Sequence, residues 1–263
     1  MKKILRKLFN KKGYDIIKTV EYGKKYPDIS QEEGLSFYKT PVGNYYLPKN
    51  ISKDVVALTM SKGKIFEQEV VDLALQYIKK DSIVLDIGAN YGQMSMLFSK
   101  QVGEQGNIYS FEAQKIVFEI LKKNIAANNC INIKPILGAV YDKDNLDLIF
   151  PEPDFKRFGA YGSYGIDPNA IDGNRVKSLT IDSIQFSKPI SFMKVDIQGS
   201  DLFALRGAVN TIKKHKMPIL FEFEQQFQDE FHTSFQDYVD FVNVVGYRFK
   251  TTILNINYLI VPQ

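Results

Sequence analysis

The segment from Asp86 to Gly92 reads Asp-Ile-Gly-Ala-Asn-Tyr-Gly and follows a short apolar run. Glycine lets a backbone approach a ligand closely, and a carboxylate at a strand end can bind an ammonium group or order the loop. The spacing is neither the Gly-x-Gly-x-x-Gly of dinucleotide sites nor the Gly-Lys-Ser/Thr of a phosphate loop. The segment therefore predicts a ligand without a pyrophosphate, with a purely structural strand-to-helix turn as the alternative.

A second carboxylate, Glu112, closes the next strand-like segment, 26 residues after Asp86. A carboxylate at that point can accept two hydrogen bonds from a ribose diol. Asp86, the glycine loop and Glu112 would then meet at the carboxyl edge of a sheet, where open α/β sheets bind ligands. A nucleoside without a pyrophosphate that carries an amino-acid moiety describes S-adenosylmethionine.

The elements that must position these residues alternate between strands and helices. The strand-like segments are SIVLDIG, NIYSFE, NIKPILGAV, ISFMKVDIQG and PILFEF. Helical patterns separate them, one from about Gln114 to Asn128 and one near Asp201–His215. This alternation predicts a mostly parallel sheet with helices on both faces.

Other patterns flank or interrupt this core. We expect a hairpin around a Gly-Asn turn within residues 35–60, a helix over Phe66–Lys80 and an insertion with its own strands at 146–181. A helix capped by Thr233 or Ser234 should stop near Gly246, and two strands should close the chain. Residues 1–60 are interpreted as an extension and 61–263 as the main domain.

Composition excludes several classes of protein. Hydrophobic residues make up 44% of the 263 residues and charged residues 24%, which is ordinary for a globular chain and excludes a disordered or collagen-like one. One cysteine and two histidines exclude a disulfide scaffold and a Cys/His zinc site. The single cysteine fits a reducing compartment, and we expect a cytoplasmic protein without a metal site.

Positive charge is concentrated at the N-terminus. The first 25 residues carry nine Lys/Arg and two acids, so the rest of the chain is net negative. This distribution argues against a nucleic-acid partner, whose binding protein carries basic residues where it works. Residues 1–10 can form an amphipathic helix. The segment 1–12 either contacts an anionic membrane surface or packs on the protein, and we favour the packing.

Several motifs together resemble the FkbM-type methyltransferase family, whose members use S-adenosylmethionine mostly on hydroxyl groups. They are VLDIGANYGQMS, SFEAQKIVFEILKKNIAANN, LGAVYDKDN, SLTIDSI, FMKVDIQGSDLFALRGA and PILFEFE. The motifs follow the family's order, and the resemblance covers roughly residues 35–250. The resemblance implies a Rossmann-like class I methyltransferase fold with a seven-stranded sheet. It also implies that the cofactor site is lined by Asp86, Gly88, Asn90, Gly92 and Glu112.

One position departs from the family pattern. The usual Lys-x-Asp-x-Glu-Gly appears as Lys194-Val-Asp196-Ile-Gln198-Gly, so an amide replaces a carboxylate. Gln198 still accepts a hydrogen bond but is a weak metal ligand. A cofactor-binding module with altered catalysis is therefore the alternative to an active enzyme.

The resemblance places Asp196 beside the transferred methyl group and matches Glu222 to the acid on the fifth core strand. Lys194 shares a strand face with Asp196, as a catalytic residue or as a structural ion pair. Candidate bases are Asp196, Glu222 and His232, of which we rank Asp196 first, because His232 lies in a polar stretch typical of surface residues.

The acceptor is expected to be a sugar, nucleotide sugar or glycan, with a non-sugar small molecule as the alternative, and the resemblance implies a role in bacterial surface-polysaccharide synthesis. The Gly/Tyr-rich loop within 151–177 offers aromatic rings for sugar faces and arginines for phosphates. The candidates named for this role are Arg157, Tyr161, Tyr164 and Arg175. The alternative is a loop whose rings pack on the protein itself.

Overall fold

The computed structural model describes residues 34–49, 53–150 and 160–263. The predicted N-terminal helix and the segment 1–12 lie outside these residues. Within them, no helix combines the length and the apolar character needed to cross a membrane.

The strands are β1 (Leu35–Thr40), β2 (Gly43–Pro48), β3 (Ile83–Ile87), β4 (Asn107–Glu112), β5 (Ile133–Leu137), β6 (Ala139–Val140), β7 (Asp147–Phe150), β8 (Asn174–Leu179), β9 (Ile190–Val195), β10 (Ile219–Glu222), β11 (Tyr247–Ile253) and β12 (Asn257–Pro262). The α-helices are α1 (Val55–Ser61), α2 (Gln68–Leu75), α3 (Gln93–Val102), α4 (Lys115–Ala127), α5 (Asp201–Arg206), α6 (Val209–His215), α7 (Gln228–Phe231) and α8 (Phe235–Val244). Short 3-10 helices cover Tyr161–Ser163, Ile181–Ser183 and Gln225–Phe227.

The central sheet has seven strands in the order β11-β12-β10-β9-β3-β4-β5. β12 alone runs in the direction opposite to the other six strands. The chain leaves β3 toward β4 and β5 and then returns to β9 on the other side of β3. This reversal opens a crevice at the carboxyl ends of β3 and β9, where doubly wound sheets bind ligands. The mostly parallel sheet predicted from the sequence is confirmed.

Apolar side chains fill both faces of the sheet. Ile83, Leu85 and Ile87 of β3 point to a core shared with α5, α6 and α8. Val84 points to the opposite core, which α1–α4 cover. Because successive residues of a strand face opposite sides, an all-apolar strand such as β3 needs helices on both faces, and it has them.

The predicted hairpin forms from β1 and β2, although its turn lies at Pro41-Val42, just before the Gly-Asn pair. Tyr45 and Leu47 of β2 belong to the same apolar core as Val84. The backbone N–H of Tyr46 donates to Asn124 Oδ1 at 2.6 Å, so α4 holds the hairpin through a side chain. The described part of residues 35–60 therefore packs as part of the main body.

Two predicted helices are shorter than expected. Instead of spanning Phe66–Lys80, α2 ends at Leu75, and the backbone N–H of Lys79 then donates to Ser191 Oγ of β9 at 3.2 Å. The expected helix Asp201–His215 is broken into α5 and α6 at Gly207. A Cβ at Gly207 would lie 2.0 Å from the Tyr141 carbonyl oxygen, so the chain bends at this close approach.

The insertion forms strands of its own, as predicted: β8 pairs with β6 and β7 in a three-stranded sheet. The capping box of Ser234 and Asp237 begins α8, also as predicted.

Candidate functional site

A cavity of about 210 Å³ lies at the carboxyl ends of β3, β4, β9 and β10. A smaller cavity of about 50 Å³ adjoins it, and Glu67, Gly88, Asn90 and Asp196 line both. The sequence-predicted cofactor residues lie along these two cavities: Gly88, Asn90 and Glu112 line the larger one, and Asp86 and Gly92 the smaller one.

The two glycines of the loop after β3 serve protein packing as well as ligand access. Gly88 has a φ of +84°, and a Cβ there would lie 1.8 Å from the Asp196 carbonyl oxygen. Gly92 has a φ of +88°, and its Cβ would lie 2.5 Å from Leu121 Cδ1. The sequence-based reason for these glycines, backbone approach to a ligand, is therefore incomplete, because both positions exclude a side chain without any ligand.

Glu112 is held by backbone donors from two sides. Its Oε2 accepts the N–H of Asn90 at 2.9 Å, and its Oε1 accepts the N–H of Gln114 at 2.8 Å. Burial outweighs these hydrogen bonds and raises the pKa of Glu112 to about 7. The backbone of Ala113 also hydrogen-bonds to this carboxylate, which has about four acceptor positions, so an ionised Glu112 can still accept a hydroxyl group from the cavity.

Asp86 is fully buried beneath the loop. One of its oxygens accepts a hydrogen bond from Ser95, whereas the buried Oδ1 has no hydrogen-bond partner among the described residues. Oδ1 lies 3.9 Å from Nζ of Lys194. Burial raises the pKa of this carboxyl. An unpartnered acceptor beside a cavity is suited to a ligand's ammonium group, and so fits the amino-acid end of S-adenosylmethionine.

Asp196, just after β9, is a partly exposed acid of the site. Its Oδ2 lies 2.9 Å from Nζ of Lys194, which is almost completely buried, and about 25% of the Asp196 side chain is exposed. Burial raises the pKa of Asp196, but the charge and hydrogen bond of Lys194 outweigh it and hold that pKa below its usual range. Asp196 is therefore an ionised hydrogen-bond acceptor that faces the cavity.

Glu222, at the end of β10, has the opposite protonation. Burial and the nearby negative charge of Asp196 raise its pKa well above the usual range, so Glu222 is protonated at neutral pH. Gln198 Nε2 lies 3.4 Å from both Asp196 Oδ1 and Glu222 Oε2. The amide that departs from the family pattern thus connects the two acids.

Asp201 is a buried acid that the sequence analysis did not single out. Its Oδ2 accepts the N–H of Ile197 at 3.4 Å, and its Oδ1 accepts the N–H of Glu222 at 3.3 Å. It therefore ties the end of β9 to the end of β10. Burial, helped by the charge of Asp196, raises its pKa to about 7. An acid five residues after Asp196, at the start of a helix, was the available sequence signal.

The remaining predicted residues are only partly brought together. Tyr161 and Tyr164 line the larger cavity, and Tyr164 also packs with Phe150 and Val176 in the core of the insertion. His232 and Arg175 are exposed and line neither cavity. Arg157 lies outside the described residues. In the described part of the chain, no cluster of His, Cys, Asp and Glu is suited to a metal ion.

The part of the sequence that forms this site matches the model of a protein family. The model of the methyltransferase FkbM domain matches residues 86–249, which include the glycine loop, Glu112, Asp196 and Glu222. The match covers more than half of the chain.

A curated relative is the hexuronic acid methyltransferase AglP of Haloferax volcanii, 25% identical over 155 residues. The aligned part is 56% of this chain and 58% of AglP, so the chain spans less than two thirds of that relative.

Solved structures with similar folds include a methyltransferase FkbM from Methylobacillus flagellatus, with a TM-score of 0.47 and 17% identity, covering 69% of this chain and 43% of that one. Another is an S-adenosylmethionine-dependent O-methyltransferase from Thermotoga maritima, with a TM-score of 0.42 and 12% identity over 86% of this chain and 76% of that one.

Proposed function

Because the chain belongs to the FkbM methyltransferase family, whose methyl donor is S-adenosylmethionine, we propose that it methylates a hydroxyl group of a sugar, nucleotide sugar or glycan. One observation carries the proposal: the ionised Asp196 opens into the cavity that Glu112 also lines. A hydroxyl acceptor needs an acceptor for its proton next to the site of transfer, and Asp196 is such a group.

The cofactor-binding residues proposed are Asp86, Gly88, Asn90, Gly92 and Glu112. Glu112 would accept a hydrogen bond from a ribose hydroxyl group at its remaining acceptor position, and Asp86 Oδ1 would accept one from the amino-acid end. When bound, S-adenosylmethionine supplies an electrophilic methyl group on a sulfonium. The protein therefore has to align the acceptor oxygen with that methyl group and accept a proton.

Asp196 takes the role of proton acceptor or of an orienting acceptor for the hydroxyl group. Lys194 keeps it ionised, and Glu222, which holds its own proton, donates a hydrogen bond to it. His232 is no longer proposed as a base, because it is exposed and away from the cavity lining.

The acceptor class is supported by Tyr161 and Tyr164 in the cavity wall, since aromatic rings pack on sugar faces. The name of the relative, a hexuronic acid methyltransferase, points to the same class. We place the reaction in the cytoplasmic synthesis of bacterial surface polysaccharides, with a small acceptor and no nucleic-acid partner. A contact of residues 1–12 with an anionic membrane also remains a proposal.

A screen of nucleotide sugars and glycans with methyl-labelled S-adenosylmethionine tests this function. We expect the label in an alkali-stable ether of one acceptor, and no transfer by the Asp196→Asn variant.

A second candidate function, a cofactor-binding module without turnover, is favoured by the amide at Gln198. Cofactor binding by calorimetry without transfer to any acceptor would support that module and contradict the proposed enzyme.

A further inference from the structure

Residues 161–165, here called the roof segment, cover the larger cavity and touch the loops after three core strands. A Cβ at Gly162 would lie 2.2 Å from Nδ2 of Asn90, which follows β3. A Cβ at Gly165 would lie 2.9 Å from the Cβ of Gln198, which follows β9. Both glycines thus allow the roof segment to lie directly on residues that line the cavity.

The third contact is a hydrogen bond from Gln114, which follows β4. Its Nε2 donates to the carbonyl oxygen of Tyr161 at 3.1 Å. The same side chain caps α4, because its Oε1 accepts the N–H of Val117 at 3.3 Å. Reversing the amide would set oxygen against the Tyr161 carbonyl and NH₂ against the Val117 N–H, so the two partners fix its orientation.

Gln114 is also joined to the acid proposed to bind the ribose. Its backbone N–H donates to Glu112 Oε1 at 2.8 Å. One nearly buried residue therefore contacts Glu112 through its backbone and the roof segment through its side chain. The first contact belongs to the cofactor side of the cavity, and the second to the wall that contains Tyr161.

We propose that Gln114 is a positioning residue that holds the roof segment over the cavity and so couples the acceptor wall to the cofactor site. The inference rests on the proposed function, in which Tyr161 lines the acceptor side. Binding of cofactor at Glu112 immobilises the start of α4, and Gln114 passes this ordering to Tyr161. The acceptor therefore meets a more ordered wall once the cofactor has bound.

The test compares two variants of the full chain. Gln114→Ser keeps a good helix cap but is too short to reach Tyr161, whereas Gln114→Ala loses both interactions. Hydrogen exchange of the roof-segment amides is measured with and without S-adenosylhomocysteine, together with the affinity for that product and the melting temperature.

In the wild type, S-adenosylhomocysteine should slow exchange in the roof segment. In Gln114→Ser, exchange should be about tenfold faster, the scale of one lost hydrogen bond, and the product should no longer slow it. The melting temperature of Gln114→Ser should stay near wild type, and its affinity for the product should fall by no more than the factor by which the product slows wild-type exchange, because the coupling is reciprocal. Gln114→Ala should also melt earlier. With an acceptor from the screen, Gln114→Ser should raise KM for the acceptor about tenfold and leave kcat nearly unchanged.

Wild-type exchange of the roof segment in Gln114→Ser would overturn the proposal. So would a loss of product affinity larger than the factor by which the product slows wild-type exchange, because Gln114 would then act as a part of the cofactor site. A wild-type protein that binds S-adenosylhomocysteine but methylates no sugar would contradict the proposed function instead, and the exchange measurements would still decide the role of Gln114.

Discussion

The backbone N–H of Asn90 donates to Oε2 of Glu112 at 2.9 Å, which joins the loop after β3 to the end of β4. Asn90 has a φ of +50°, a left-handed conformation that asparagine tolerates better than most residues and that points its N–H toward the neighbouring strand. The carboxylate proposed to bind the ribose is therefore oriented by the same loop that is proposed to hold the rest of the cofactor.

Replacing Glu112 by alanine should weaken S-adenosylmethionine binding by about 1.5–3 kcal/mol, because hydrogen bonds to a charged acceptor are lost. Isothermal titration calorimetry measures this directly. Glu104→Ala, at an exposed position away from the cavity, serves as the control. Wild-type affinity in a folded Glu112→Ala protein would remove Glu112 from the site.

Cofactor affinity should depend on pH through Glu112, whose pKa is raised to about 7. Only the ionised carboxylate accepts hydrogen bonds at both oxygens, so affinity should rise as pH increases toward 7 and level off above it. Below pH 7 the slope should approach about tenfold per pH unit. Glu112→Gln should remove this component, and an unchanged pH profile in that variant would assign the dependence to another group.

Gly88→Ala should destabilise the fold before it affects the cofactor. The new Cβ would collide with the Asp196 carbonyl oxygen, and the positive φ adds strain, for a combined loss of about 3 kcal/mol or more. Thermal unfolding is the measurement. The matched control is Gly34→Ala, where a Cβ meets nothing within 4 Å, and a normal melting temperature for Gly88→Ala would contradict the packing argument.

Asp196→Asn should lower turnover by roughly a hundredfold or more, the usual scale of general base catalysis, while cofactor affinity stays close to wild type. Lys194 keeps a second acid, Asp86, at 3.9 Å, which limits the damage to the fold. Single-turnover transfer with an acceptor from the screen gives the rate. Retention of wild-type turnover would exclude Asp196 as proton acceptor.

Activity should survive a chelator, because a neutral amide, Gln198, accompanies Asp196 and Glu222, and magnesium sites usually rest on carboxylates. Gln198→Glu adds a third carboxylate there and should gain measurable Mn²⁺ binding by calorimetry, whereas we expect none in the wild type. Loss of wild-type activity in chelator, restored by magnesium, would show instead that Asp196 is a metal ligand.

The local order of motifs was sufficient to predict the sheet, the helices on both of its faces and the edge at which the site lies. Apolar runs such as β3 can be stable only between two helical layers, and the acids that end parallel strands must meet at one edge. For the same reason Asp86 and Glu112 could be predicted as site residues from their positions at strand ends, whereas Asp196 and Glu222 were predicted from the resemblance to the family.

Contacts between distant segments were decided by the tertiary structure alone. Gly207 breaks a predicted helix because the carbonyl group of Tyr141 approaches it closely. The ionisation of Asp196 depends on Lys194 and that of Glu222 on Asp196, through burial that no sequence pattern records. Spacing along the chain determines which acids can reach the edge of the sheet. Packing determines whether those acids are ionised, and it also determines which other residues, such as Gln114 and Asp201, hold them in place.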